Sequence, residues 1–308
     1  MAKEQTHLSP KWRITYHPRH VTIIPKPSRY RTRSLNLRGS NPSIGLSAQH
    51  KGIVSSNAAR KIRTAIDWLL ASADTKYLYS KKTGKYHAWQ INFCTLTLPT
   101  QGNKSDKQIK QILNAWLQVA KYEFDLKSYI WKAEPQKRGA IHIHLTSDCF
   151  MWHKKVRFTW NRLLKKHGLL NGHEDPNSTD IHSTYKIKNM SAYLCKYFTK
   201  GKEGERTIEG RLWGCSRTLS KARGIRFEMD WVAKKNEEYW LLQDSVKRYA
   251  KDFCDSYYMK NDWYKSLQDC ELKRLFDARR RLIRKKKLKD QFEVYSMDTG
   301  EVMNVNNF

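Results

Sequence analysis

The sequence predicts an α+β chain, and two observations carry that expectation. Two stretches, at 77–98 and 128–147, read as hairpins of alternating residues. Amphipathic helical repeats flank them. In the second hairpin the run Gly139-Ala140-Ile141-His142-Ile143-His144-Leu145-Thr146-Ser147 alternates most clearly. Period 2 puts His142 and His144 on one face of a half-buried strand, and Ile141, Ile143 and Leu145 on the other.

Taken in order, residues 5–66 hold twelve Lys or Arg and no acid. Residues 10–52 are rich in Pro, Gly, Ser and Arg and show no long period, so an extended or loosely ordered basic arm is expected over 1–54. Ser55 or Ser56 caps a helix to about Ala73, with Ile62, Ile66, Leu69, Leu70 and Ala73 as its apolar line. The hairpin from Tyr77 turns at Lys82-Thr83-Gly84-Lys85, and its second strand runs on to Leu98 before Pro99. In that strand Phe93, Thr95 and Thr97 share one face; Cys94, Leu96 and Leu98 share the other. Ser105 and Gln108 have capping-box spacing and open a helix whose inward face includes Ile109, Ile112, Leu113, Trp116 and Leu117.

Ser128 to Glu134 is the next strand, and the turn at Pro135–Gly139 leads back through the two histidines. A helix follows over His153–His167 with Gly168 as its stop. A short strand is expected at Thr179–Tyr185. Asn189–Lys200 is helical, with Met190, Leu194 and Phe198 inward and Tyr193 and Tyr197 stacked four apart beside them. A strand is expected at Ile225–Met229, and helix from about Lys234 to Leu288. Residues 279–289 carry eight basic side chains, a density that suits phosphate or acidic partners. The end after Tyr295 reads as frayed. Three regions result: the arm over 1–54, a central domain over 55–232, and a basic helical C-terminal region over 233–308.

Composition narrows the function classes. Lys plus Arg is 59 and Asp plus Glu is 29, a formal net charge of +30, alongside 11 Trp and 16 Tyr. Basic charge interleaved with aromatics suits single-stranded nucleic acid, where phosphates pair and bases stack. The six Cys are scattered with no C-x-x-C, which argues against a Cys-type zinc finger and a disulfide scaffold, and for reduced thiols in a cytosol. No run approaches the ~18 apolar residues of a membrane span, and the N-terminus lacks an apolar signal core. No G-x-x-x-x-G-K-[ST] loop for a nucleotide is present.

Two neutral imidazoles side by side on a strand are half of a metal site. The threonine-bearing strand Phe93-Cys94-Thr95-Leu96-Thr97-Leu98, the Ile141–Leu145 strand and the helix carrying Tyr193-Leu194-Cys195-Lys196-Tyr197 follow in order. That ordered set resembles the three motifs of the histidine-hydrophobe-histidine (HUH) endonuclease superfamily, and most of all the rolling-circle replication initiators of small bacterial plasmids and single-stranded DNA phages. The likeness spans about residues 91–200. It implies a central antiparallel sheet with helices packed on it, similar to the RNA-recognition-motif layout, plus a helical C-terminal extension outside the likeness.

The resemblance also implies a metal-dependent strand transferase. Such enzymes nick one DNA strand at an origin, stay joined to the 5′ phosphate, leave a 3′ hydroxyl and later rejoin the ends. On this reading His142 and His144 hold Mg²⁺ or Mn²⁺. Glu134, returned by the hairpin, is the third ligand, with Asp180 and His182 in reserve. Tyr193 is the first nucleophile and Tyr197 its partner, whether one or both react being open, and Lys196 or Lys200 supplies positive charge. The partners are single-stranded origin DNA and, for want of a nucleotide loop, a host helicase, with a polymerase, in a bacterial cytoplasm. A transposase of the same superfamily, or a non-catalytic single-stranded nucleic-acid-binding protein, are the alternatives. The charge itself makes one prediction. Affinity for single-stranded DNA should fall roughly 10²-fold or more between 50 and 200 mM salt in an anisotropy titration, and a flat response would remove the electrostatic reading.

Overall fold

The computed structural model describes residues 12–25, 54–136, 139–182, 190–199, 206–251, 254–260, 262–284 and 294–303. In chain order the elements begin with strands β1 (Trp12–Tyr16) and β2 (His20–Pro25), helix α1 (Ser56–Ser72), and strands β3 (Lys76–Ser80), β4 (Lys85–Trp89) and β5 (Asn92–Thr97). Helix α2 (Asp106–Glu123), strands β6 (Tyr129–Pro135) and β7 (Ile141–Ser147), helix α3 (His153–Lys166), strand β8 (Thr179–His182) and helix α4 (Met190–Thr199) follow. Then come β9 (Trp213–Cys215), α5 (Arg217–Lys221), β10 (Ile225–Met229), α6 (Trp231–Asp244), β11 (Ser245–Lys251) and β12 (Cys254–Met259). A 3₁₀ turn (Trp263–Lys265), α7 (Glu271–Arg284), β13 (Val294–Ser296) and β14 (Val302–Met303) complete them. The chain divides into two compact units, one of Met1–Gln49 with Arg223–Arg279, the other of His50–Ala222 with Arg280–Phe308.

The second unit is built on a five-stranded sheet in the order β8-β5-β7-β6-β9, with every pairing antiparallel. Alternation decides which face each side chain takes. Cys94, Leu96, Leu98, Ile141, Ile143 and Leu145 are buried in one cluster with α2 and α3. Trp116 and Trp160 meet edge to face there, at 6.3 Å and 89°. Each indole N–H has an acceptor: Trp116 donates to Thr159 Oγ1 at 3.2 Å, and Trp160 to the Thr97 carbonyl at 3.0 Å. The capping box at Ser105 and Gln108 starts α2 as the spacing predicts, which satisfies two of its orphan N–H groups. On the opposite side α1 packs against α4, joined by a 3.0 Å hydrogen bond from Ser191 to Asp67, both buried. A smaller sheet, β14-β13-β3-β4, belongs to the same unit.

The first unit holds a sheet in the order β10-β1-β2-β12-β11, again antiparallel. Ile14, Val21, Ile23, Tyr257, Leu241 and Phe276 are fully buried in it.

The α+β expectation and its antiparallel sheet hold; four local readings change. Part of the expected loose arm, residues 12–25, is the β1–β2 hairpin, because Ile14, Tyr16, Val21 and Ile23 alternate into a core supplied by distant segments. The strand expected from Lys85 to Leu98 breaks at a bend at Gln90, and β4 and β5 enter different sheets. The continuous helix expected over 234–288 is interrupted by β11 and β12, where Tyr257 and Met259 are buried and Tyr258 between them is exposed, a period of 2. The end expected to fray pairs as β13 and β14, with β13 parallel to β3.

Gly214 stands opposite Trp131 across β9 and β6. A Cβ there would lie 2.7 Å from Trp131 Nε1 and 2.8 Å from Cε2, and a rigid ring in a packed core yields little. Gly214→Ala should therefore cost about 1–3 kcal/mol, read as a melting temperature lowered by several degrees; an unchanged value would mean that the ring has room to shift.

Candidate active site

The face of the central sheet away from α2 and α3 carries two cross-strand rows. Thr95 on β5, His144 on β7 and Lys132 on β6 are direct neighbours; Thr97, His142 and Glu134 form the row beside them. Directly opposed residues of an antiparallel pair share a face, so the register alone gathers six polar side chains. Thr95 Oγ1 lies 3.1 Å from His144 Nδ1, and Thr97 Oγ1 lies 3.1 Å from His142 Nδ1. The two imidazoles are parallel within 1°, with centroids 6.1 Å apart. A hydroxyl on Nδ1 fixes each ring's orientation and turns its Nε2 outward from the threonine. His144 Nε2 is 3.3 Å from Glu134 Oε2.

Lys132 is only 3% exposed. Its Nζ donates to Glu134 Oε1 at 2.5 Å and to the Tyr197 carbonyl at 2.9 Å. That carbonyl is among the last of α4, where helix C-termini leave orphan acceptors and favour cations. One ammonium thus holds the carboxylate and ties the tyrosine helix to the sheet. Burial works against ionisation of Glu134, but the hydrogen bonds from His144 and Lys132 and the Lys132 charge outweigh it and bring the carboxyl down to about 2.

The phenols lie on this same face. Phe93 is the hub, its ring centroid 5.4 Å from His144, 5.2 Å from Tyr197 and 5.8 Å from Tyr193. Tyr197 is 6.0 Å from His144 and 4.8 Å from Tyr193. Leu194 and Phe198 are buried on α4, which leaves the two tyrosines half-buried beside them. Burial, then the hydrogen bond and charge of Tyr197, then the charge of Asp180, push Tyr193 up to about 12. Such a phenol ionises only with added positive charge nearby.

Of the residues singled out from sequence, His142, His144, Glu134, Tyr193 and Tyr197 therefore gather on one face. Lys196 is exposed on α4 and, among the described residues, makes no hydrogen bond or ion pair with them. Lys200 lies outside the described residues. Asp180, exposed on β8 directly opposite Thr95, joins that face at its edge, and His182 stands opposite Phe93 in the register. Among the described residues no group of three or more His, Cys, Asp or Glu is drawn together tightly enough to hold a metal ion as it stands. The donor types nonetheless fit a divalent cation, two imidazoles and a carboxylate on adjacent strands, with Glu134 shared between His144 and Lys132. Sequence reading missed Lys132; its only signal was its place two residues before Glu134 on the same strand face.

Residues 91–202 match a family model, that of the replication-associated proteins of the ORF2 type. The matched segment starts just before β5 and ends just past α4, so it contains both histidines, Glu134 and both tyrosines. It leaves out the first unit, α1 and the C-terminal strands, and covers less than half of the 308 residues. The match supports a part in replication. No curated protein and no solved structure matches the chain. Among the described residues no helix is long and apolar enough to cross a membrane.

The Lys132–Glu134 pair makes a signed prediction. A carboxyl held below its usual range stabilises the fold fully above the unfolded-state pKa of about 4.3, and loses that contribution as pH falls toward 2. Lys132→Met should lower unfolding stability by roughly 2–4 kcal/mol at pH 7. The gap from the parent should narrow in denaturant titrations taken from pH 5 down to pH 2; a gap independent of pH would show that the pair does not carry it.

Proposed function

We propose that this chain is a replication initiator that nicks single-stranded DNA at an origin by tyrosine transesterification. What carries the reading is the common face on which the threonine-tethered His142 and His144, Glu134, and the Tyr193–Tyr197 pair meet around Phe93. The family match over the same segment supports it. Tyr193 Oη attacks the scissile phosphorus. A bond from that oxygen to phosphorus forms as the bond to the 3′ oxygen breaks; the phenol gives up its proton to water, and the leaving oxygen takes one up from water to become a 3′ hydroxyl, so the protons balance. The 5′ phosphate stays on the tyrosine, and the ester keeps the bond energy needed for rejoining without a nucleotide.

The residues divide the work. Tyr197 donates to or accepts from Tyr193 and stands ready as a second nucleophile. Thr95 and Thr97 hold the imidazoles; Lys132 orients Glu134 and anchors α4. Lys196, exposed on the helix that carries the tyrosines, supplies positive charge for the phosphate. His142, His144 and Glu134 would hold a divalent cation, Mg²⁺ or Mn²⁺, whose chemistry is Lewis-acid charge at a phosphate oxygen. The net charge of +30 draws the polyanion to the protein.

The test uses the intact chain with single-stranded DNA of its parent replicon and Mn²⁺. Tyr193→Phe should cut nicking by at least ~10²-fold while DNA affinity stays within about twofold. Covalent adducts that persist in the Tyr193→Phe/Tyr197→Phe double variant would exclude both nucleophiles, and nicking undiminished by a chelator would exclude the cation.

A further inference from the structure

The first unit lies outside the family match, and its sheet has two unlike faces. Ile14, Tyr16, Val21, Ile23 and Tyr257 form the buried one. The register puts the alternate residues on the other. Arg226, Thr15, Thr22, Ser256 and Tyr249 form one row across all five strands, and His20, Tyr258 and Lys247 form another beside it. This second face carries an aromatic ladder. His17 stacks on His20 at 4.3 Å and 11°, His20 on Tyr258 at 5.7 Å and 28°, and Tyr258 meets Tyr249 edge-on at 5.5 Å.

The outer end of the ladder is open, with Tyr258 44% and Tyr249 46% exposed. Burial lowers His17 to about 3 and His20 to about 4, so the inner rungs are neutral rings near pH 7. Cations border the ladder. Lys247 Nζ lies 4.7 Å over the Tyr249 ring. Lys251, Arg226 and Arg13 share the face, against one acid among the described residues, Glu228, opposite Arg13. Exposed aromatic faces interleaved with positive charge on an open antiparallel sheet suit unstacked bases and their phosphates.

We propose that this open face, centred on Tyr249 and Tyr258, is a second binding surface for single-stranded nucleic acid. It lies in a different unit from the histidines and tyrosines described above, and it does not rest on the nicking chemistry. Bases stack on the two tyrosines while Lys247, Lys251 and Arg226 meet the phosphates. Duplex DNA, whose base faces are covered, gains only the charge.

The experiment uses the full chain with a chelator present, so that no nicking enters. A fluorescent 20-nucleotide oligo-dT and a duplex of equal length are titrated by anisotropy. For Tyr249→Ala/Tyr258→Ala, oligo-dT affinity should drop roughly tenfold or more and duplex affinity should hold within about twofold. Tyr249→Phe/Tyr258→Phe, which keeps the rings, should bind oligo-dT within about twofold of the parent. A 5-iodouracil oligonucleotide should crosslink to Tyr249 or Tyr258. Circular dichroism checks folding; if the alanine pair does not fold, the phenylalanine pair and the crosslink map decide. Unchanged oligo-dT affinity, equal losses on duplex and single strand, or crosslinks confined to residues 91–202 would each overturn the proposal. So would dissociation of a dimer by the alanine pair with oligo-dT affinity intact, which would give the face to a second copy of the chain.

Discussion

Everything at the candidate site depends on the register between β5 and β7. It sets Thr95 against His144 and Thr97 against His142, and each hydroxyl meets an Nδ1 at 3.1 Å. A slip of one residue would turn both imidazoles into the helix-packed core and bring Ile141 and Ile143 out. The apolar cluster beneath α2 and α3 therefore fixes the chemistry above it: burying Leu96, Ile143 and Leu145 on one side forces the two rings to the other. Their parallel setting follows from two equal steps along one strand rather than from any attraction between the rings.

Lys132 adds a second constraint of a different kind. A nearly buried ammonium is costly unless its protons are used. Here they reach a carboxylate and a helix-terminal carbonyl at once. The same charge that keeps Glu134 ionised also locates α4, and so the tyrosines, over the histidine face. Asp67 and Ser191 fasten the start of that helix to α1. The tyrosine helix is thus held at both ends by polar contacts whose loss would leave buried groups unsatisfied.

Much of this was readable in the chain because the signals were local. The face shared by His142 and His144, the capping box at Ser105, the stop at Gly168 and the four-residue spacing of Tyr193 and Tyr197 each depend on neighbours within a turn or a strand. What escaped depends on distant partners. β1 finds β10 more than two hundred residues away, and β2 finds β12, so their short alternating runs looked like part of a basic arm. β11 is exposed along almost its whole length and offers no buried stripe. β13 is recruited by β3 from the other end of the chain. Lys132 went unnoticed because only the meeting of β6 with the end of α4 makes it a buried bridge.

The central claim is that the paired imidazoles and the paired phenols share one site. Paramagnetic broadening by Mn²⁺ of selectively labelled tyrosine resonances tests it without any turnover. Tyr193 and Tyr197 should broaden at the lowest Mn²⁺ additions, ahead of Tyr249 and Tyr258, and His142→Ala/His144→Ala should abolish that order. Broadening that begins elsewhere, or that is indifferent to the two histidines, would contradict a shared centre.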